Sequence, residues 1–185
     1  MIKKNLVRRA SNRLLHFLAR YGPGAKTLRP FLHRLRGVKI GKGVFIGDEV
    51  YLENEYPESV ELQDGVVLAI RAMVIAHTKG SGRVIIERDA YVCPGVVILC
   101  PSGKTLTIGQ GAFLGTGSVV SRSVPPGRII SPPRSVTIGQ ARVPFALAKT
   151  VEEFIAGIQP TPRTRPASAP VGTQTNPPMT GDCPD

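Results

Sequence analysis

Between Ile40 and Val136 aliphatic residues return every sixth position. The series runs Ile40, Ile46, Leu52, then Leu62, Leu68, Val74, then Ile86, Val92, Ile98, then Ile108, Leu114, Val120, and finally Ile130 and Val136. An amphipathic helix would repeat at about 3.6 residues and a half-buried strand at about 2, and neither fits a period of six. A chain that turns a corner every six residues, with one aliphatic anchor per short strand, winds into a parallel β-helix of hexapeptide repeats.

The side chain four places after each anchor is small or medium at Val44, Val50, Val66, Ala72, Thr78, Ala90, Val96, Ser102, Ala112, Ser118 and Val124, with Tyr56 the exception. One large and one small inward residue per strand is what a narrow three-sided tube holds at native packing density. Gly follows the anchor at Gly41, Gly47, Gly109 and Gly115, where a Cβ would hinder the turn. Three hexapeptides make one coil. An α/β sheet would need helical crossovers between its parallel strands, and the spacing leaves no room for them.

The 185 residues allow one ordinary domain with appendages. The net charge of +11 is concentrated at one end. Residues 1–37 carry ten Lys or Arg and no acid, while the rest of the chain carries fourteen bases against thirteen acids. In that arm Ile2, Leu6, Leu14, Leu15, Phe17, Leu18 and Tyr21 interleave with the bases at roughly helical spacing. Two roles stay open for this basic amphipathic segment: lying on an anionic membrane surface, or capping the open end of the tube. No run reaches the roughly 20 apolar residues of a spanning helix, and the Arg-interrupted N-terminus does not read as a secretory signal. Three cysteines, Cys93, Cys100 and Cys183, form no CxxC pair, which fits a reducing, cytoplasmic setting, peripheral to the inner face of the membrane if the basic arm lies on it.

Four segments follow: a basic helical arm over 1–37, the β-helix over 38–140, a C-terminal helix over 141–158, and a disordered tail over 159–185. Thr150-Val151-Glu152-Glu153 has capping-box spacing, and Phe154, Ile155 and Ile158 give that helix an apolar face to fold back on the tube. The tail is rich in Pro, Thr, Ser and Gly.

The regular spacing is broken from 52 to 62, 74 to 86, 98 to 108 and 120 to 130, four to six extra residues each time at one phase of the coil. Extras at one phase stack along one edge, where repeat proteins place binding loops. His77 stands three residues after Val74 on that edge, where an imidazole has the reach of a general base. His16 and His33 lie in the basic arm, in a solvated or capping role. Glu55 stands three residues after Leu52, so the phase stacks it one strand away, about 4.8 Å. It is read either as the acid that orients His77 or as a solvated loop acid.

Gly37-Val38-Lys39-Ile40-Gly41-Lys42-Gly43-Val44-Phe45-Ile46-Gly47, the Ala76-His77-Thr78 corner, and Gly115-Thr116-Gly117-Ser118-Val119-Val120 with Val124-Pro125-Pro126-Gly127 together resemble the hexapeptide-repeat O-acetyltransferases. The branch is that of the maltose and galactoside acetyltransferases and the acyltransferases of polysaccharide gene clusters. The likeness covers residues 35–158. It implies a left-handed coil, a homotrimer, and acetyl-CoA as co-substrate in the cleft between tubes, with a sugar or glycan hydroxyl as acceptor.

By the same resemblance His77 is the catalytic histidine, Tyr91 lies beside the pantetheine arm, Gly115 and Thr116 meet the coenzyme through their backbone, and Arg122 lies near its phosphates. The chain departs from the family at Ser131-Pro132-Pro133-Arg134-Ser135, where Arg134 replaces the usual basic residue at the adenine end. No metal is expected, since the zinc of a carbonic anhydrase on this tube needs three His and the tube supplies only His77. An acyl-enzyme route through Cys93 or Cys100 competes with buried, inert thiols. The alternative from another class is a non-catalytic trimeric scaffold whose basic arm touches membrane or nucleic acid. The arm has few aromatics for base stacking, so no specific nucleic-acid partner is expected.

Overall fold

The structure, a computed structural model, describes residues 6–77, 80, 82–133, 139–142, 144–147 and 149–160. The chain divides into two units, Met1–Pro133 and Arg134–Asp185.

The first unit is a left-handed parallel β-helix with three faces. One face holds β1 (Lys39–Ile40), β4 (Val60–Leu62), β7 (Arg83–Ile86) and β10 (Thr105–Ile108) in that order. The next holds β2 (Phe45–Ile46), β5 (Val67–Leu68), β8 (Tyr91–Val92), β11 (Phe113–Leu114) and β13 (Ile129–Ile130), and the third holds β3 (Tyr51–Leu52), β6 (Met73–Ile75), β9 (Val97–Leu99) and β12 (Val119–Val120). Every pair is parallel and anchors stack on anchors: Ile40 on Leu62, Leu62 on Ile86, Ile86 on Ile108. The six-residue period therefore translates directly into register.

Inside the tube the anchors from Ile46 to Leu114 are fully buried, or within one per cent of it. The small partners Val44, Val50, Val66, Ala72, Ala90, Val96, Ala112 and Ser118 are buried beside them. At the third corner the expected partners do not face inward. Tyr56 and Ser102 sit in loops, Thr78 lies outside the described residues, and the inward places go to Val60, Val84 and Leu106. The extras at this corner lift the chain out and return it two residues before the next anchor.

The break from 120 to 130 is different from what spacing implied. Val124 bridges in parallel to Ile108, so it occupies the first-face position of a shortened coil, and no loop is inserted there. Three corners carry extra residues, at 53–59, 76–82 and 100–104. The glycines after anchors also act differently from expectation: Gly47 has an ordinary φ, but a Cβ there would stand 2.8 Å from the amide nitrogen of Ile70 on the next coil. Close approach between coils is the constraint.

The basic arm forms α1 (Leu6–Tyr21) and α2 (Leu28–Arg36), which pack against each other, with α2 also reaching β1 and β2. Gly37 ends α2 in the left-handed conformation, φ 106°, which explains the choice of Gly. Arg29 is buried and donates from Nη1 to the Ile46 carbonyl (3.1 Å) and from Nε to the Gly22 carbonyl (2.7 Å), and it pairs with Asp48. His16 and His33, expected to be solvated or capping, are buried between the helices and the first coil.

In the second unit β14 (Gly139–Ala141) pairs antiparallel with β15 (Ile158–Pro160), and α3 (Val151–Ala156) lies between them in sequence. The Thr150 hydroxyl accepts the Glu153 N–H at 3.1 Å, while the Glu153 carboxylate accepts the N–H of Lys149 at 2.8 Å, one residue beyond the usual capping-box partner. Among the described residues of the expected 141–158 span, α-helix covers Val151–Ala156 and a single 3-10 turn covers Phe145–Leu147, and Gln140 and Gln159 pair with each other, so neither the β-helix nor the tail takes them. Residues 161–185 and the last anchor, Val136, lie outside the described residues.

Candidate active site

His77 follows β6 at the corner that leads from the third face to the first, and its side chain is about one-third exposed. Its Nδ1 lies 2.7 Å from Oε2 of Glu53. The expected acid, Glu55, does not hold this place: its side chain is exposed and lies 3.9 Å from Arg13, and it lines a cleft with Asn12, Arg36, Asn54 and Glu58 that His77 does not line. The phase argument fails because β3 ends at Leu52 and the chain then leaves the coil. Glu53 is the last residue still in register, its N–H donating to the Val74 carbonyl at 2.9 Å, so its side chain is the one that reaches the imidazole.

Glu53 is fully buried, and every oxygen of its carboxylate is used. Oε2 also accepts the Ala76 N–H at 3.0 Å, and Oε1 accepts the Glu55 N–H at 2.8 Å and the Tyr56 N–H at 3.4 Å. Burial pushes its pKa up, but the hydrogen bonds from His77 and from the backbone of Glu55 and Ala76 outweigh it and hold the group below the ordinary carboxylate value. An ionised acid accepting from Nδ1 fixes the imidazole with its proton on Nδ1 and its lone pair on Nε2. The Tyr56 ring meets the imidazole edge-on at 5.4 Å and narrows its orientation further.

The arm supports this acid from behind. Arg36 is buried and donates from Nη2 to the Glu53 carbonyl at 2.8 Å, from Nε to Asn12 Oδ1 at 2.9 Å, and from Nη1 to His33 Nδ1 at 2.8 Å. Burial and the neighbouring guanidinium groups push His16 down to about 4, and burial, Arg36 and His16 push His33 down to about 3. Both stay neutral at pH 7 beside Arg36, whose own pKa burial lowers to about 10.

The remaining expected site residues divide between two edges. Arg122 follows β12 on the same corner as His77, two strand spacings along the tube, roughly 10 Å. It lines a groove with Lys104, Thr105, Ser121 and Ser123, so two exposed cations face one depression suited to an anion. Gly115 and Thr116 lie on the turn between the second and third faces, and the Gly115 N–H is already given to the Ile130 carbonyl at 2.7 Å. Tyr91 lies on the outer second face, stacked on Phe113 at 5.5 Å. Within one chain these three are not brought to His77. Arg134 lies outside the described residues. Cys93 and Cys100 are buried, and Cys100 Sγ contacts the carbonyls of Arg83 and Lys104.

Two residues went unread in the sequence. Glu53 heads a column continued by Ile75 and Leu99, and an acid in an aliphatic column was the available signal. Lys104 carried none, since its approach to Arg122 depends on the shortened fourth coil.

A three-faced tube of hexapeptide coils defines the class of hexapeptide-repeat proteins, and its loop-bearing edge here carries the His77–Glu53 pair. Comparison with known proteins agrees. The chain is 30% identical over 138 residues to the serine acetyltransferase of Bacillus licheniformis, across 69% of this chain and 56% of that protein. It is 43% identical over 47 residues to the bifunctional protein GlmU of Rubrobacter xylanophilus, across 25% of this chain and 9% of that protein. No family model matches. The chain spans about half the length of the first of these curated relatives and a small part of the second. The coiled fold and the likeness to the Bacillus protein support the hexapeptide-repeat acetyltransferase family.

Proposed function

We propose that the protein is an acetyl-CoA-dependent O-acetyltransferase in which His77 is the general base. The observation that carries this reading is the contact between His77 Nδ1 and the buried carboxylate of Glu53, which leaves Nε2 basic on the loop-bearing edge. Nε2 takes the proton of an acceptor hydroxyl as its oxygen attacks the thioester carbonyl. The tetrahedral adduct then collapses, the carbon–sulfur bond breaks, and the imidazolium returns its proton to the departing thiolate, so that an ester and free CoA are released. Glu53 stabilises the imidazolium between the two transfers. Positioned proton transfer of this kind contributes about 10²- to 10⁴-fold.

Lys104 and Arg122 are suited to the coenzyme's phosphates, and the sharing of one edge with His77 supports that role. Tyr91, Gly115 and Thr116 are proposed to serve the coenzyme from a neighbouring subunit. A homotrimer accounts for the outward apolar columns of two faces, Val67, Tyr91, Phe113 and Ile129 on one and Met73, Val97 and Val119 on the other, in strict register. The proposed acceptor is a hydroxyl of a sugar or glycan precursor.

The test is release of CoA thiol from acetyl-CoA across a panel of sugars, nucleotide sugars and L-serine, the last taken from the name of the Bacillus relative. Turnover lost in His77→Ala with the fold retained supports the reading. No thiol release with any acceptor, together with no acetyl-CoA binding by calorimetry, returns the tube to a scaffold.

A further inference from the structure

The two helices of the arm bury mainly polar residues and expose much of their apolar surface. α1 turns Asn12, His16 and Ala19 toward the protein, and α2 buries Arg29, Pro30, Leu32, His33 and Arg36. Most of their large apolar side chains face solvent: Leu14, Phe17 and Tyr21 on α1 are 56 to 61% exposed, and Phe31 and Leu35 on α2 are 53 and 58% exposed. The polar contacts to the tube are hydrogen bonds to backbone carbonyls from Arg29 and Arg36 of α2 and from Asn12 of α1. Leu32 and Ala19 pack inward beside them, but Leu14, Phe17, Tyr21, Phe31 and Leu35 stay outside that docking. Exposed large apolar residues grouped on one element mark an interaction surface.

Charge decides the occupant. Arg8, Arg13 and Lys26 are exposed on the same segment, which holds ten bases and no acid within residues 1–37. A second copy of the chain would bring the same positive arm, and its remaining residues, fourteen bases against thirteen acids, hold no excess of negative charge to meet it. A bilayer rich in anionic lipid offers both an apolar phase for Leu14, Phe17 and Leu35 and negative headgroups for the bases. No helix among the described residues is long and apolar enough to cross a membrane, so the arm would lie in the interface plane.

We propose that α1 and α2 form a peripheral docking face for an anionic membrane surface, with their apolar side chains inserted at the headgroup boundary while their polar stripes hold the β-helix. The surface does not depend on the acetyltransferase reading, since no residue of it is assigned to the chemistry.

The experiment is flotation of the full chain with vesicles of phosphatidylcholine alone and of phosphatidylcholine mixed with phosphatidylglycerol, at low and high salt. The wild-type chain is expected to float with the anionic vesicles and to be released by salt. Leu14→Ser/Phe17→Ser, at positions exposed in the fold, is expected to weaken that binding by about tenfold or more with helicity and thermal unfolding unchanged. Absence of wild-type binding, or equal binding by the variant, overturns the proposal. So does a variant whose oligomeric state changes in sedimentation while its vesicle binding does not, because the face then belongs to a second copy.

Discussion

The Nδ1 of His77 and Oε2 of Glu53, twenty-four residues apart in the chain, meet at 2.7 Å across one strand spacing of the tube. The carboxylate is fully buried and accepts three further hydrogen bonds from backbone N–H groups; against the cost of burial it is held ionised by His77 and by the N–H groups of Glu55 and Ala76. Its charge is therefore available to the imidazolium formed during proton transfer, and its geometry decides which ring nitrogen is basic.

Replacing Glu53 by Gln keeps an acceptor near Nδ1 and removes the charge. Glu53→Gln is expected to lower kcat by about 10- to 100-fold with little change in KM for acetyl-CoA, because the coenzyme's proposed cations are elsewhere. Glu55→Gln should leave kcat unchanged. Steady-state kinetics on the two variants distinguish the buried acid from the exposed one, and equal loss in both would return the role to the loop as a whole.

Acid should loosen the arm before it touches Glu53. His16 and His33 titrate in the fold near 4 and 3, against 6.5 in an open chain, so the unfolded state binds more protons between those values. Their stabilising contribution is complete above about pH 6.5 and is lost as pH falls through the folded values. At about pH 5 each histidine costs about 2 kcal/mol. The Glu53 contribution, from a lowered carboxylate pKa, is present above about pH 4.5 and is lost only below it. Thermal unfolding at pH 7 and pH 5 should show the drop, and His33→Asn, which keeps an acceptor for Arg36, should shrink it.

The core should reward matched volumes. Leu68 is fully buried on the second face between Ile46 and Val92, and Leu68→Ala is expected to cost about 2–5 kcal/mol. Ala72→Leu, at a fully buried small position, should cost about 1–3 kcal/mol by overpacking. Chemical denaturation checks both, and tolerance of the larger residue at 72 would contradict the large-small pairing.

Arg122→Gln should raise KM for acetyl-CoA about tenfold, the worth of one charge-assisted hydrogen bond. Lys104→Gln should act in the same direction. Neither should change turnover of an acetylated pantetheine that lacks the nucleotide. An unaltered KM for acetyl-CoA would remove the groove from the site.

The fold was legible because an aliphatic residue every sixth position has one consequence in a narrow tube: each anchor packs on the anchor one coil away, and Ile40, Leu62, Ile86 and Ile108 do so. His77 was legible because it interrupts that pattern at a loop-bearing corner. Glu53 was not, because phase counting assumes the chain stays on the coil past Leu52, and it leaves after Glu53. The break at 120–130 was misread for a related reason: a gap of ten is an insertion or a shortened coil, and only the bridge from Val124 to Ile108 decides between them.

Sequence alone determined the tube, its edge of loops and the histidine on it, since those follow from local spacing and from the volume a short strand can place inside. Tertiary structure decided which acid faces His77, which cation joins Arg122, and which way the arm's helices turn. These depend on long-range hydrogen bonding: Arg29 and Arg36 find carbonyls on the first coil and draw the polar stripes inward, against the direction that hydrophobic periodicity by itself prescribes.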